Sequence, residues 1–337
     1  MPPTGVALLQ MGGPRVPEDV EPFLERLFAD PDIIRLPRLL RPFQPRLARA
    51  VARRRAPSIR EKYRRTGATG TSSLPEALLA RSATGGSPLC ATTERLAERV
   101  EKELAARGAW SPVAPCFRYI DPGADATLDA LARSGAGDVL AVTLYPHWSA
   151  TTTGSSWSDL RRAAEARGVP ARPLERWGLH PGYLDLAAKD AQAAIDRVPL
   201  EHRRKVHVVF SAHGIPMRYV REGDPYADEV RATAKALAER IEGHDGWSLA
   251  FQSAVGPVEW LRPYTDQHVR EHGSAWSACV VVPLGFVSDH IETLWDADVL
   301  IRDAARMAGV PFYTRAALFN DRAEFAAMVA DLVQGAS

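Results

Sequence analysis

A chain of 337 residues with 46% hydrophobic and 25% charged content has the makeup of a globular protein with roughly two domains. Its formal net charge of +1 offers no global pull toward nucleic acid, and three well-separated cysteines, Cys90, Cys116 and Cys279, exclude a disulfide framework or a thiolate metal cage. The opening has no signal-peptide core and no apolar run reaches the roughly eighteen residues a bilayer span needs, so a cytoplasmic protein is expected.

In chain order, the apolar run GVALLQM leads into PEDVEPFLERLFAD, where Val20, Phe23, Leu24, Leu27 and Phe28 recur at helical spacing. A basic stretch follows. Between Asp32 and Glu61 there are nine arginines and no acid, interleaved with Leu36, Leu39, Leu40, Phe43 and Leu47. Pro37, Pro42 and Pro45 prevent one long helix from covering all of it. The Gly/Thr/Ser-rich start of residues 64–84 reads as loop, and LPEALLARSA within it as a short helix. TTERLAERVEKELAARG reads as a helix ending at Gly108. PVAPCFRY and DVLAVTLYP read as buried strands, with the helix ADATLDALARSG between them.

The second half repeats the rhythm with VHVVFSA, a helix around ADEVRATAKALAERIEG, SLAFQS, a helix before His272, SACVVVPLGF, and finally SDHIETLWDADVLIRDAARMAG. Such alternation predicts an α/β fold with parallel sheets covered by helices on both faces. The halves also echo each other. ALLQMGGP and VVFSAHGIP both run from an apolar strand into x-G-x-P, which aligns Met11 with His213, Gly12 with Gly214 and Pro14 with Pro216. LAVTLYPHWS and VVVPLGFVS correspond in the same manner. Two similar domains follow, residues 1–160 and 161–337, with the boundary in the region 155–180.

In parallel sheets, ligands bind at the carboxyl ends of strands. Those positions hold Met11, Arg118 and Tyr119, Tyr145 to Ser149, Ser211 to Gly214, Gln252 and Ser253, and Phe286 to Glu292. No G-x-G-x-x-G or G-x-x-x-x-G-K occurs, which argues against a nucleotide site. Asp289, Glu292 and Asp296 stand at i, i+3 and i+7, so a helix would align them as one acidic stripe. His213, with an ordinary pKa of about 6.5, is expected to be a neutral base or a metal ligand near neutrality. With Tyr119, Tyr145, Trp148, Trp260 and Phe286 nearby in the pattern, the implied ligand is large, planar and apolar. These residues alone leave open a porphyrin carrier without turnover. The acids opposite a histidine favour an enzyme.

Five ordered blocks carry a resemblance over nearly the whole chain: LLQMGGPRVPEDVEPFLERLFADPDIIRLP, YPHWSATTTGSS, FSAHGIPMRYVREGDPY, FQSAVGPVEWLRPYTD and VVPLGFVSDHIETLWDAD. They resemble the ferrochelatase family. The resemblance implies two Rossmann-like domains with the active-site cleft between them, and insertion of Fe2+ into protoporphyrin IX to give protohaem with release of two protons. His213 then matches the histidine that meets metal or takes a pyrrole proton, Glu292 its carboxylate partner, and Asp289, His290 and Asp296 an acidic relay. Met11, Arg118, Tyr119, Ser149, Trp260 and Phe286 match positions lining the macrocycle or its propionates, with Tyr63 and Ser87 beside them. The family runs from that tyrosine almost directly into GGGSP, whereas residues 64–84 here intervene as an insertion.

Met11 resembles the branch acting on protoporphyrin, where a coproporphyrin III enzyme tends to carry tyrosine. No cysteine follows Cys279, so no iron–sulfur cluster is expected, nor any permanently bound cofactor. The basic and apolar lip, residues 33–60, is expected to touch a membrane surface peripherally through residues 33–55. No nucleic-acid partner is expected.

Overall fold

The computed structural model describes residues 2–66 and 86–336. The insertion at 64–84, apart from Arg64, Arg65 and Thr66, lies outside them. The described residues divide into two compact units, one holding those up to Glu175 together with the stretch from Asn320 onward, the other Arg176–Phe319.

In the first unit the strands are β1 (Thr4–Gln10), β2 (Val113–Phe117), β3 (Asp138–Thr143) and β4 (Ala171–Leu174), ordered β2-β1-β3-β4 with every pairing parallel. Val6 to Leu9 are 0% exposed, as a central strand covered on both faces requires. In the second unit β5 (Val206–His213), β6 (Gly246–Gln252), β7 (Ala278–Leu284) and β8 (Phe312–Arg315) form a parallel sheet ordered β6-β5-β7-β8. The two sheets therefore share one connectivity.

The registers match as well. Leu9 pairs with Thr143 and Ser211 with Pro283, so Met11 and His213 each lie two residues beyond an equivalent rung. After β3 and β7 the chain makes the same uncommon element, a π-helix, at Ala150–Gly154 and at Glu292–Ile301. Gly12 turns the chain after β1 with φ +78°, and a Cβ there would meet Ile120 Cγ2 at 2.5 Å. Only glycine fits.

Helices sit where the apolar spacing puts them. Val20–Ala29 buries Val20, Phe23 and Leu24, and Leu89–Ala106 buries Leu96, Val100 and Leu104. The basic stretch resolves into a 3-10 turn, Arg38–Phe43, that contains Pro42, followed by the helix Gln44–Thr66.

The unit boundary differs from the sequence-based one. The break falls at Glu175/Arg176, past residue 160 but inside the region 155–180, and the final helix, Ala323–Gly335, belongs with the first unit. Its apolar face, with Phe325, Val329 and Ala330 all at 0% exposure, packs on the helix Leu89–Ala106. Arg107 donates to Asp331 at 2.6 Å, and Arg95 to Asp321 at 2.8 Å, along the same seam. The helix goes where a complementary apolar face exists, and sequence periodicity does not say which face that is.

Candidate active site

β5 answers why a buried apolar strand should end in an imidazole. Val208 to Phe210 anchor it at 0% exposure, and Gly214 then turns the chain so closely that a Cβ would meet the Gln252 carbonyl oxygen at 3.2 Å. His213 is thereby placed at the carboxyl edge of the sheet. Its Nδ1–H donates to the Gly214 carbonyl, which leaves Nε2 aimed at Glu292 Oε1, 3.3 Å away. His290 Nε2 approaches the other oxygen, Oε2, at 3.5 Å. One carboxylate thus faces two imidazoles. The His213 and Glu292 side chains remain 35% and 21% exposed, so a ligand can reach both.

Glu292 opens the π-helix, and its own carbonyl accepts the Gln252 side-chain N–H at 2.8 Å. The Gln252 amide oxygen accepts the Ser211 hydroxyl at 2.8 Å, so one buried amide ties the ends of β5 and β6 to the helix start. Ser253 donates to Asp296 Oδ2 at 2.7 Å. Aromatic rings border the pair: Trp260 lies 6.2 Å from the His213 ring, and Phe286 4.9 Å from the His290 ring.

Two sequence-based expectations need correction here. Burial alone would pull the His213 imidazole down, but the Glu292 charge and hydrogen bond, with the Gly214 carbonyl, outweigh it and raise its pKa to about 9. Burial would push Glu292 up, and the His213 and His290 imidazoles instead hold it well below the usual carboxylate range. These shifts favour imidazolium beside carboxylate over a neutral base beside an acid. Secondly, Asp289 does not join one acidic stripe. It precedes the helix, is 0% exposed, and is held by Arg315 Nη2 at 3.0 Å and the Thr293 hydroxyl at 3.0 Å. Only Glu292 and Asp296 ride the π-helix on the candidate site, four residues apart and so about one turn.

The first unit gathers its own set. Arg118 follows β2, and its guanidinium spans Ser155 Oγ at 2.9 Å and Asp30 Oδ2 at 3.0 Å, with Asp159 at 3.7 Å. Tyr119 is buried, 3% exposed, with its hydroxyl donating to the same Asp30 oxygen at 2.7 Å. This places Tyr119 as support beneath Arg118 rather than as an open wall. Met11 is half-buried just past β1, and its carbonyl accepts the Tyr119 N–H at 3.1 Å. Ser149 is 0% exposed and caps the π-helix Ala150–Gly154, accepting the Thr151 N–H at 3.3 Å. Ser87 is buried with its N–H on the Pro14 carbonyl at 2.6 Å, and Tyr63 is buried in the helix Gln44–Thr66.

Sequence reasoning missed Asp30, Ser155, Asp298 and Arg315. Their only signal is a charged or polar residue beside an apolar run, since their partners are distant in the chain. For metal, the candidate ligands are His213 and Glu292, an N/O pair suited to divalent iron without the grip of thiolates. Among the described residues, no group of three or more His, Cys, Asp or Glu is arranged to hold a metal ion.

The sequence and fold have known relatives. The sequence profile of the family described as Ferrochelatase matches residues 3–337. The chain is 37% identical over 336 residues to "Ferrochelatase" of Synechococcus sp. (strain RCC307), covering 98% of this chain and 81% of that one. It is 36% identical over 335 residues to "Ferrochelatase" of Geotalea daltonii, covering 98% and 97%, and 35% identical over 343 residues to "Ferrochelatase, mitochondrial" of Xenopus laevis, covering 98% and 78%. Among solved structures, "SirB from Bacillus subtilis with Fe3+" shares the fold at a TM-score of 0.50 and 15% identity, covering 72% of this chain and 88% of that one. With the family matched end to end and relatives of this identity along the full length, the chain belongs to the ferrochelatase family, enzymes of haem biosynthesis that insert Fe2+ into a porphyrin.

Proposed function

We propose that the ring is protoporphyrin IX, and that His213 and Glu292 meet the incoming iron and the outgoing pyrrole protons. The single observation carrying the second statement is the 3.3 Å approach of His213 Nε2 to Glu292 at the carboxyl edge of β5 and β7. Iron enters only as two N–H protons leave, and a flat ring hides its nitrogen lone pairs. A site that grips the rim and holds the ring bent stabilises the distorted transition state.

The resting imidazolium cannot accept a proton. An approaching dication repels that charge and favours the neutral imidazole, so iron arrival drives the proton off His213 and frees Nε2 as ligand or base. Glu292 neutralises part of the charge throughout. Asp296, one turn along the π-helix and held by Ser253, is the next acceptor outward. Arg118, paired with Asp30, is a cation of the kind a propionate binds.

Met11, at the position equivalent to His213, supports protoporphyrin over coproporphyrin III. Parallel anaerobic assays with both rings and Fe2+ test this: faster insertion into protoporphyrin IX is expected, and faster insertion into coproporphyrin III would reverse the assignment.

The three cysteines are buried, and burial pushes their thiols up to about 11 for Cys90 and about 12 for Cys116 and Cys279. No described helix is long and apolar enough to cross a membrane. Leu39, Leu40, Phe43 and Leu47 are 88%, 51%, 55% and 49% exposed among the arginines, a surface that supports peripheral contact with an anionic leaflet from the cytoplasm. Each basic residue near such a surface adds about 1 kcal/mol. Co-sedimentation with anionic vesicles is expected for the wild type and weakened by Leu39→Asp with Phe43→Asp. Equal pelleting of the two would remove this surface from the reading.

A further inference from the structure

Arg315 closes β8 and is buried, at 7% exposure. Its guanidinium grips two segments at once. Nε and Nη2 donate to the two oxygens of Asp298 at 2.7 and 3.0 Å, and Nη2 also donates to Asp289 Oδ1 at 3.0 Å. Asp298 lies inside the π-helix that begins at Glu292, and Asp289 lies in the loop before it. The planar fork of an arginine serves two carboxylates in this way, whereas an ammonium has neither the reach nor the geometry.

Asp289 passes the constraint to its neighbour. The Thr293 hydroxyl contacts Asp289 Oδ1 at 3.0 Å and accepts the backbone N–H of His290 at 3.1 Å. With Nδ1–H donated to the Ser288 carbonyl at 3.0 Å, the His290 ring has one orientation, which brings Nε2 to Glu292. Asp289, 0% exposed and bound to both the Arg315 guanidinium and the Thr293 hydroxyl, serves as scaffold.

We propose that Arg315, acting through Asp289 and Thr293, is a positioning residue for the His290–Glu292 pair and hence for iron insertion. The proposal rests on Glu292 acting at the reacting ring, as inferred above. Its chemistry is mechanical: two buried acids bound to one cation lock the loop to the helix, so the carboxylate that meets the ring starts from a fixed place. Misplacing such a group by about an ångström can cost up to about a hundredfold in rate.

Removing the Arg315 charge would strand two buried carboxylates and is expected to unfold the unit. The test therefore uses Thr293→Val, which deletes one hydroxyl, together with Thr293→Ser and Arg315→Lys. Thr293→Val should lower kcat for iron insertion about tenfold, leave the porphyrin KM within about twofold, and speed amide hydrogen exchange at His290. Thr293→Ser should restore both kcat and exchange. Arg315→Lys should fold and show the same loss in kcat without loss of KM. Wild-type kcat in Thr293→Val or Arg315→Lys overturns the proposal, as does failure of Thr293→Ser to restore. A Glu292→Gln control that inserts iron at the wild-type rate overturns the site reading beneath it, and the His290 exchange data then report separately on whether the clamp exists.

Discussion

The His213 imidazole and the Glu292 carboxylate meet at 3.3 Å, one ending a strand and the other opening a π-helix. Positioned acid–base groups contribute about a hundredfold to ten-thousandfold to a reaction. His213→Ala and Glu292→Gln are each expected to lose at least about a hundredfold in iron insertion while retaining the fold and porphyrin binding, as read from the anaerobic absorbance change and from ring titration. Folded variants with wild-type rates would remove the pair from the chemistry.

The same pair sets a pH dependence. With His213 raised to about 9, kcat/KM is expected to climb with pH toward that value, because it reports groups of the free enzyme. In Glu292→Gln the imidazole stays buried without its counterweight, so the climb shifts to lower pH. Stability follows its own signs. A histidine raised from 6.5 stabilises fully below about 6.5 and loses that as pH rises through about 9, while Glu292, lowered from 4.5, stabilises above about 4.5 and loses that in acid. The stability gap between wild type and Glu292→Gln in urea should therefore be wider at pH 6 than at pH 10. An equal gap at both would show that the pair is not charged in the folded chain.

At the other end of β5, His207 stacks on Trp276 with centroids 4.2 Å apart, beside a cavity of about 450 Å³. Ser248 Oγ joins its Nε2 at 3.1 Å to His268 Nε2 at 2.9 Å. Burial, with His268, His244 and His272 adding to it, lowers His207 to about 4, and burial with His272 lowers His268 against the opposing Glu271. Because the unfolded chain protonates first, stability should fall as pH drops from about 6.5 toward 4. His207→Phe, which keeps a ring on Trp276, should flatten part of that fall in urea titrations. An unchanged slope would locate the acid sensitivity elsewhere.

Phe325 tests the return of the chain to the first unit. It is 0% exposed, and Phe325→Ala is expected to cost about 3–5 kcal/mol, visible as a lowered melting temperature. A loss below about 1 kcal/mol would mean the last helix is not seated in a core.

Much of the fold was legible because burial leaves periodic traces. The continuous apolar runs of β1, β3, β5 and β7 mark strands covered on both faces, and the G-x-P echo marks two equivalent turns where backbone crowding leaves little room for a side chain. His213 ends β5 and Glu292 opens the π-helix that follows β7, with Trp260 6.2 Å from the His213 ring and Phe286 4.9 Å from the His290 ring. The acidic stripe fails for a local reason. The spacing of Asp289, Glu292 and Asp296 fits an α-helix, but the segment forms a π-helix that starts after Asp289, and a distant arginine claims that acid.

The sequence by itself determined which residues alternate between sheet and helix, and which side chains stand at the carboxyl ends of the strands, because these depend on neighbours within a few positions. Only the tertiary structure decided charge states and partners. The His213 pKa is raised because Glu292 faces it, Asp289 is scaffold because Arg315 reaches it from β8, and the final helix crosses to the first unit because an apolar face awaits it there. Electrostatic and packing energies depend on distances in space, and those arise only when remote segments close on one another.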